Sequence, residues 1–161
     1  MQKTILIPTD FSIESLNLLK KAMQKYETSQ FHVIFLHCLH STDSIMDLLF
    51  SADEKLIESI VTHDFKEACK ILKNKYGERI VTDRIEVFSG ITQSAFQNFL
   101  EGNAIDEIFV PSEYTFKRTS KRSFDPVPFI RRSGLDITEV SWSQAENAPE
   151  KNQLAALFSM Q

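Results

Sequence analysis

The chain of 161 residues is short of glycine, with four, of cysteine, with two, and of long apolar runs. Four glycines and five prolines among 42% hydrophobic residues exclude a fibrous or low-complexity disordered chain and leave an ordinary globular composition. At this length one domain with a proper core is expected. Cys38 and Cys69 lie far from any CxxC spacing, so no disulfide framework is expected and a reducing compartment suits them. The N-terminal apolar run, Ile5 to Ile7, is too short for a signal peptide or a membrane span, and a proline follows it. A cytoplasmic location without membrane attachment is the resulting expectation. Positive charge is also scarce: 18 Lys and Arg stand against 22 Asp and Glu, a net charge of -4. Bulk electrostatics therefore gives no support to nucleic-acid binding, and any basic patch must be local.

What is present is an alternation of buried strands and amphipathic helices. Thr4 to Pro8 (TILIP) is a nearly continuous apolar run, as in a strand covered on both faces. Ser12 is placed to cap a helix whose Leu16, Leu19, Ala22, Met23 and Tyr26 recur at spacings of three and four. Phe31 to Leu39 reads as a second buried strand. The connection from Ser41 to Asp53 carries Ile45, Met46, Leu48, Leu49 and Phe50. One long helix is expected from about Asp53 to Tyr76, with Ile57, Ile60, Val61, Phe65, Ala68 and Leu72 along its stripe and a left-handed Gly77 stopping it. Arg84 to Gly90 is a third strand. Thr92 then caps a helix carrying Ala95, Phe96, Phe99 and Leu100, which Gly102 ends.

Asp106 to Ser112 (DEIFVPS) is the fourth strand. Asp125 as N-cap and Pro126 at the first helical position open the next helix, with Phe129 and Ile130 inward and Gly134 as the stop. Asp136 to Trp142 alternates, which suits a fifth strand at a sheet edge. The domain is expected to span residues 1–142, and the polar tail 143–161 to hold at most a short helix near Leu154, Leu157 and Phe158.

The order βαβαβαβαβ predicts the α/β class: a five-stranded, mostly parallel open sheet with helices on both faces. In such sheets ligands sit beyond the carboxyl ends of the strands, where the strand order reverses. Pro8, Thr9, Asp10, His37 to His40, Ser89, Gly90 and the residues from Ser112 onward are therefore the positions to question.

The opening KTILIPTDFSIESLNLLKKAM resembles that of the universal stress proteins, whose first strand ends in a Pro-Thr-Asp-Phe-Ser type segment and leads into a helix. FHVIFLHCLH, FSGITQSAFQNFL with Gly90, and IDEIFV with Asp106 follow the same family's order, over roughly Lys3 to Trp142. The resemblance implies the adenine nucleotide alpha hydrolase-like fold. It also implies that, in nucleotide-binding members, the fourth strand runs into a loop of form G-x2-G-x9-G-[ST]. There glycines let backbone N–H groups reach phosphates, and the Ser or Thr opens a helix. Here those four positions fall on Pro111, Tyr114, Phe124 and Asp125, and none matches. Proline lacks the N–H, two rings fill space a phosphate chain needs, and Asp125 adds negative charge. The departure argues against ATP or AMP as a standing cofactor. The resemblance further implies that Asp10 reaches toward a base or ribose, so that Pro8, Thr9 and Asp10 line a half-site.

The basic loop admits two readings. Lys117, Arg118, Lys121 and Arg122 form a solvated connection, or they bind an anion by side chains, together with Arg131 and Arg132. Nucleic acid is disfavoured, because the cations are not interleaved with stacking aromatics across a face. Asp10 divides the same way, between ligand contact and a cap that turns the chain. Ser12 reads as a cap, since no base is placed beside it. His37, Cys38 and His40 alternate along a strand and do not converge, so no metal is expected, and His63 reads as a surface residue of a helix.

No nucleophile, base and orienting group assemble, so no catalysis is expected. The expected protein is a non-enzymatic stress-response or regulatory homodimer paired through the edge strand Ile137 to Trp142, without a standard ATP site. The alternative is a nucleotide- or anion-binding member that uses Asp10 and the basic loop. The apolar run Ile45 to Phe50 is a further candidate surface for a protein partner.

Overall fold

The computed structural model describes residues 1–41 and 52–141. The apolar run Ile45 to Phe50, Trp142 and the tail 143–161 lie outside them. Within the described residues, five strands form one parallel sheet: β1 (Gln2–Pro8), β2 (Gln30–Cys38), β3 (Ile80–Phe88), β4 (Glu107–Pro111) and β5 (Asp136–Val140). Their order is β3-β2-β1-β4-β5. The chain steps outward from β1 through β2 to β3, then returns to the other side of β1. The reversal between β1 and β4 opens a crevice at the carboxyl ends of the strands.

Strand alternation divides the core. Ile5, Ile7, Val33, Phe35 and Phe109 face one layer, formed by α1 (Asn17–Lys25), α2 (Ala52–Ile60) and α3 (His63–Tyr76). Leu6, Ile34, Leu36, Ile108 and Val110 face the other, formed by α4 (Gln93–Gly102) and α5 (Val127–Arg131). Ser12 Oγ accepts from Ser15 N at 3.3 Å but is not the expected N-cap: the short 3-10 turn Glu14–Leu16 starts after Ile13 and α1 after Leu16, neither with a side-chain cap.

Several expected boundaries move. The single long helix is two, because Thr62 takes an extended conformation between them. Its Oγ1 accepts from Phe65 N at 3.0 Å as an N-cap and donates to Phe11 O at 3.1 Å. Gly77 does follow α3, but with φ 54° and ψ -125° it lies outside the left-handed helical well, in a region open mainly to glycine. The third strand starts at Ile80, four residues early, because Ile80 to Thr82 pair with β2. Gly102 is the last residue of α4, and the left-handed residue after it is Ala104, with φ 52°. α5 begins at Val127, and Asp125 Oδ1 accepts from Val127 N at 3.0 Å. The fifth strand stands at the sheet edge beside β4, as its alternation predicts.

Two polar devices hold the amino-terminal side of the sheet. Arg79 donates to three carbonyls at the end of α1 and in the turn that follows it: Met23 O at 2.9 Å, Tyr26 O at 2.5 Å and Ser29 O at 3.2 Å. Glu107, buried at the start of β4, accepts from Tyr26 OH, Thr138 Oγ1 and Lys25 Nζ at 2.5, 2.7 and 3.0 Å. Lys3 Nζ lies 3.4 Å from Oε1, the oxygen that Tyr26 also bonds, and 4.2 Å above the Tyr26 ring. Burial alone would raise the Glu107 pKa, yet the bonds from Tyr26, Thr138 and Lys25 hold it below its ordinary value.

Because the carboxyl ionises more readily folded than unfolded, its contribution to stability is complete above 4.5 and is lost as pH falls through the lower folded value. Glu107→Gln should cost about 1–3 kcal/mol by urea unfolding at neutral pH, through donors left without a charged acceptor. The wild type should lose this advantage progressively below pH 4.5, and an unchanged gap between the two proteins across that window would refute the assignment.

Candidate functional site

The crevice is built on the turn that leaves β1. Phe11 sits there at φ 62°, a left-handed conformation that costs a bulky residue about 1–3 kcal/mol. Four contacts hold it. Its ring is fully buried, stacked on His37 at 4.9 Å and edge-on to Phe65 at 5.4 Å. Its N–H donates to Thr9 Oγ1 at 2.9 Å, and its carbonyl accepts from Thr62. Ser15 Oγ donates to Ser12 O at 2.7 Å, so the 2.8 Å contact between Thr9 and Ser15 is a bond donated by Thr9. With Phe11 turned into the core, Asp10 is left facing the crevice.

Asp10 is fully engaged. Oδ1 accepts from Ser12 N and Ser12 Oγ, at 3.0 and 2.5 Å. Oδ2 accepts from Tyr114 OH at 2.5 Å and Lys117 N at 2.9 Å. A carboxylate offers about four acceptor positions, and all of them are filled by the chain's own donors. Burial and the bond to Asp10 push the Tyr114 phenol well above its ordinary pKa, so it stays a donor.

The second pair of donors comes from the loop between β4 and α5, which crosses the crevice and lies along the end of β2. There His40 N donates to Arg122 O at 2.6 Å, Phe124 N donates to Cys38 O at 3.1 Å, and Leu39 pairs antiparallel with Ser123. Arg122 Nε adds a bond to His40 O at 2.9 Å, and the Phe124 ring packs on His40 at 4.6 Å. The cavity that remains is about 190 Å³, below the roughly 300–1,000 Å³ of ordinary small-molecule pockets. Its walls include Thr9, Asp10, His37, Lys117, Arg118 and Asp125.

Of the residues singled out from sequence, the structure brings Thr9, Asp10, Lys117 and Arg118 to this cavity. Pro8, Gly90, Ser112, Lys121 and Arg122 are not among its walls. Ser112 N donates to Val140 O at 2.8 Å and so extends the pairing of β4 with β5. Lys117 Nζ stands 3.6 Å from Glu14 Oε1, and Arg118 Nη2 donates to Lys121 O at 2.6 Å. Arg131 pairs with Glu139 at 2.7 Å.

The residue that sequence reasoning undervalued is His37. It is buried between Phe11 and Ser123, donating from Nδ1 to Thr9 O at 2.9 Å and accepting at Nε2 from Ser123 Oγ at 2.8 Å. Burial holds its pKa below 6.5, against the pull of the Thr9 carbonyl and Asp10, so the ring is neutral near pH 7. The available signal was its position two residues after Phe35, on the same face of β2. Burial raises both thiols, Cys69 to about 12, which leaves neither reactive. No group of three or more metal-ligating side chains occurs among the described residues, and no described helix is long and apolar enough to cross a membrane.

The model of the universal stress protein family matches residues 1–116. Among solved structures, a universal stress protein from Lactobacillus plantarum superimposes with a TM-score of 0.54 at 12% identity, covering 86% of this chain and 97% of that one. A universal stress protein family protein from Arabidopsis thaliana, with AMP bound, gives 0.51 at 11% identity over 93% and 98%. A universal stress protein in complex with cAMP gives 0.50 at 19% identity over 88% and 98%. At these identities the likeness is one of fold. No curated protein matches the chain.

Gly90 has a packing role. A Cβ added there would lie 2.6 Å from Phe88 Cζ and 2.9 Å from Ala95 Cβ, where β3 hands over to α4. Gly90→Ala should cost about 1–3 kcal/mol by overpacking and lower the melting temperature by several degrees, measured by calorimetric unfolding. An unchanged melt would show that the Phe88 ring yields freely.

Proposed function

The chain belongs to the universal stress protein family, and on that premise we propose a non-enzymatic stress-response or regulatory protein that acts in the cytoplasm as a homodimer, without a standard ATP site. The observation that carries this reading is the saturation of Asp10 by Tyr114 OH and Lys117 N. The acid that would meet a ligand already holds the protein's own loop. Pro111 at the strand end and Asp125 on the cavity wall are a further obstacle to a triphosphate, the first lacking an N–H and the second carrying like charge. The dimer would form through the side of β5 turned away from β4, which among the described residues is the sheet edge.

A second reading is favoured by two observations. Lys117 and Arg118 line the cavity, and structures of similar fold carry AMP or cAMP. In this reading Asp10 and the basic loop, with Lys121 and Arg122, bind a nucleotide or another anion through side chains instead of backbone amides.

Titration calorimetry with ATP, ADP and AMP separates the two. The first reading expects no micromolar binding of ATP by the wild type. Micromolar binding abolished by Asp10→Ala would replace it with the second. Sedimentation at micromolar concentration should give a dimer, and a monomer would remove the edge-strand pairing from the proposal.

A further inference from the structure

We propose that β3 is a second self-association edge, through which two copies of the chain pair antiparallel about a two-fold axis at Ile85, with Arg84 of each copy facing Glu86 of the other. The contact lies on the opposite side of the sheet from β5 and does not depend on the pairing proposed there.

Among the described residues β3 has a neighbouring strand, β2, on one side only. It is nine residues long against five in β5, no proline interrupts it, and its middle, Val81 to Ile85, is exposed. Edges of this kind offer unpaired N–H and C=O groups to any strand that fits. Which groups are offered follows from the ladder with β2. Leu39 N donates to Phe88 O at 3.0 Å, and Cys38 is the register partner of Phe88. Phe88 therefore turns its backbone groups toward β2, and along a strand every second residue does the same. Glu86 and Arg84 follow it. The N–H and C=O of Asp83, Ile85 and Val87 point the other way, to the open edge.

The side chains then select the register. A two-fold axis normal to the sheet keeps each face on its own side, so the axis must pass through one residue and its copy. A centre at Asp83, Arg84 or Glu86 would set like charges directly opposite each other, which is unfavourable. A centre at Ile85 sets Arg84 opposite Glu86 twice, once on each side of the axis. It also brings the outward backbone groups of Ile85 face to face, and those of Asp83 against those of Val87. Within one copy Arg84 Nε donates to Glu86 Oε1 at 2.8 Å and Nη2 to Asn103 Oδ1 at 2.8 Å, so the two charged groups already stand together at the edge. The guanidinium fork keeps further N–H groups for a second carboxylate. On the other face Ile85, 36% exposed, borders an open groove of about 650 Å³ whose apolar walls include Ile57, Val61 and Cys69. At the axis Ile85 would meet its copy and leave water.

The test is sedimentation of Arg84→Glu and Glu86→Arg, each alone and in an equimolar mixture, from micromolar to millimolar concentration. Both residues are half-exposed, so the fold should stand, which circular dichroism checks. Arg84→Glu carries acid at both positions and Glu86→Arg carries base at both. Each therefore repels its own copy and complements the other. Each variant alone should associate through this edge at least tenfold more weakly than the wild type, and mixing the two should restore the association.

A mixture that associates no further than its separate components would overturn the proposal, as would a wild type whose association neither substitution weakens. If the mixture gains nothing but deletion of residues 143–161 releases association, the edge belongs to the chain's own tail and the proposal is equally lost. The β5 pairing is read separately. If it holds, each variant alone is a dimer and the mixture grows past two copies, since isologous contacts at opposite edges extend the sheet without closing it. If it fails, each variant alone is a monomer and the mixture stops at a dimer.

Discussion

The buried carboxylate of Asp10 joins two parts of the chain about a hundred residues apart, and the architecture of the crevice follows from that junction. One oxygen organises the turn that leaves β1, and the other holds the loop that leaves β4. The turn depends on a left-handed Phe11, a conformation unfavourable for an aromatic residue unless its surroundings enforce it. They do so through the core: Phe65 and His37 clasp the ring, while Thr9 and Thr62 take up the backbone groups. Packing energy from the first layer thus sets the direction in which an acid points at the other side of the turn. Thr62 performs two tasks here, breaking the second helical region into two and fastening the break to the floor of the crevice.

The two ends of the sheet handle a buried acid in opposite ways. At the amino end Glu107 meets two ammonium groups, a phenol and a hydroxyl. Removing such charges from water is unfavourable, and only the full set of partners compensates. At the carboxyl end the four donors to Asp10 among the described residues are neutral hydroxyls and amides. These bonds are charge-assisted through the carboxylate alone, whereas at Glu107 the ammonium donors carry charge as well. The amino end therefore holds its acid largely by opposite charge, and the carboxyl end by hydroxyls and amides of the chain itself.

Much of this was legible from the residues, and for identifiable reasons. Strands buried on both faces, such as Thr4 to Pro8, read as unbroken apolar runs, and Asp125-Pro126 marked a helix start to within a residue. The edge position of β5 followed from its alternation. What stayed hidden was non-local. The helix break at Thr62 depends on a hydrogen bond to Phe11, which no window of neighbouring residues contains. The early start of β3 is decided by its register on β2. In the basic loop, charge counting drew attention to four cations, while its contacts with the crevice are made by the Ser123 hydroxyl on His37, by a phenol and by backbone amides. Composition reveals side-chain charge and says little about where an N–H points.

Arg79 carries a consequence for how the chain assembles. The last carbonyls of a helix are ordinarily capped by residues within the next turn. Here the carbonyls of Met23 and of the C-cap residue Tyr26 are taken by a guanidinium some fifty residues further along the chain, between α3 and β3. The carboxyl end of α1 is therefore complete only once the second crossover, from β2 through α2 and α3 to β3, has docked against it. A helix finished by a distant partner gives the fold a late step that reports on the whole half-sheet, and it places the gain in cooperativity at a corner far from the crevice.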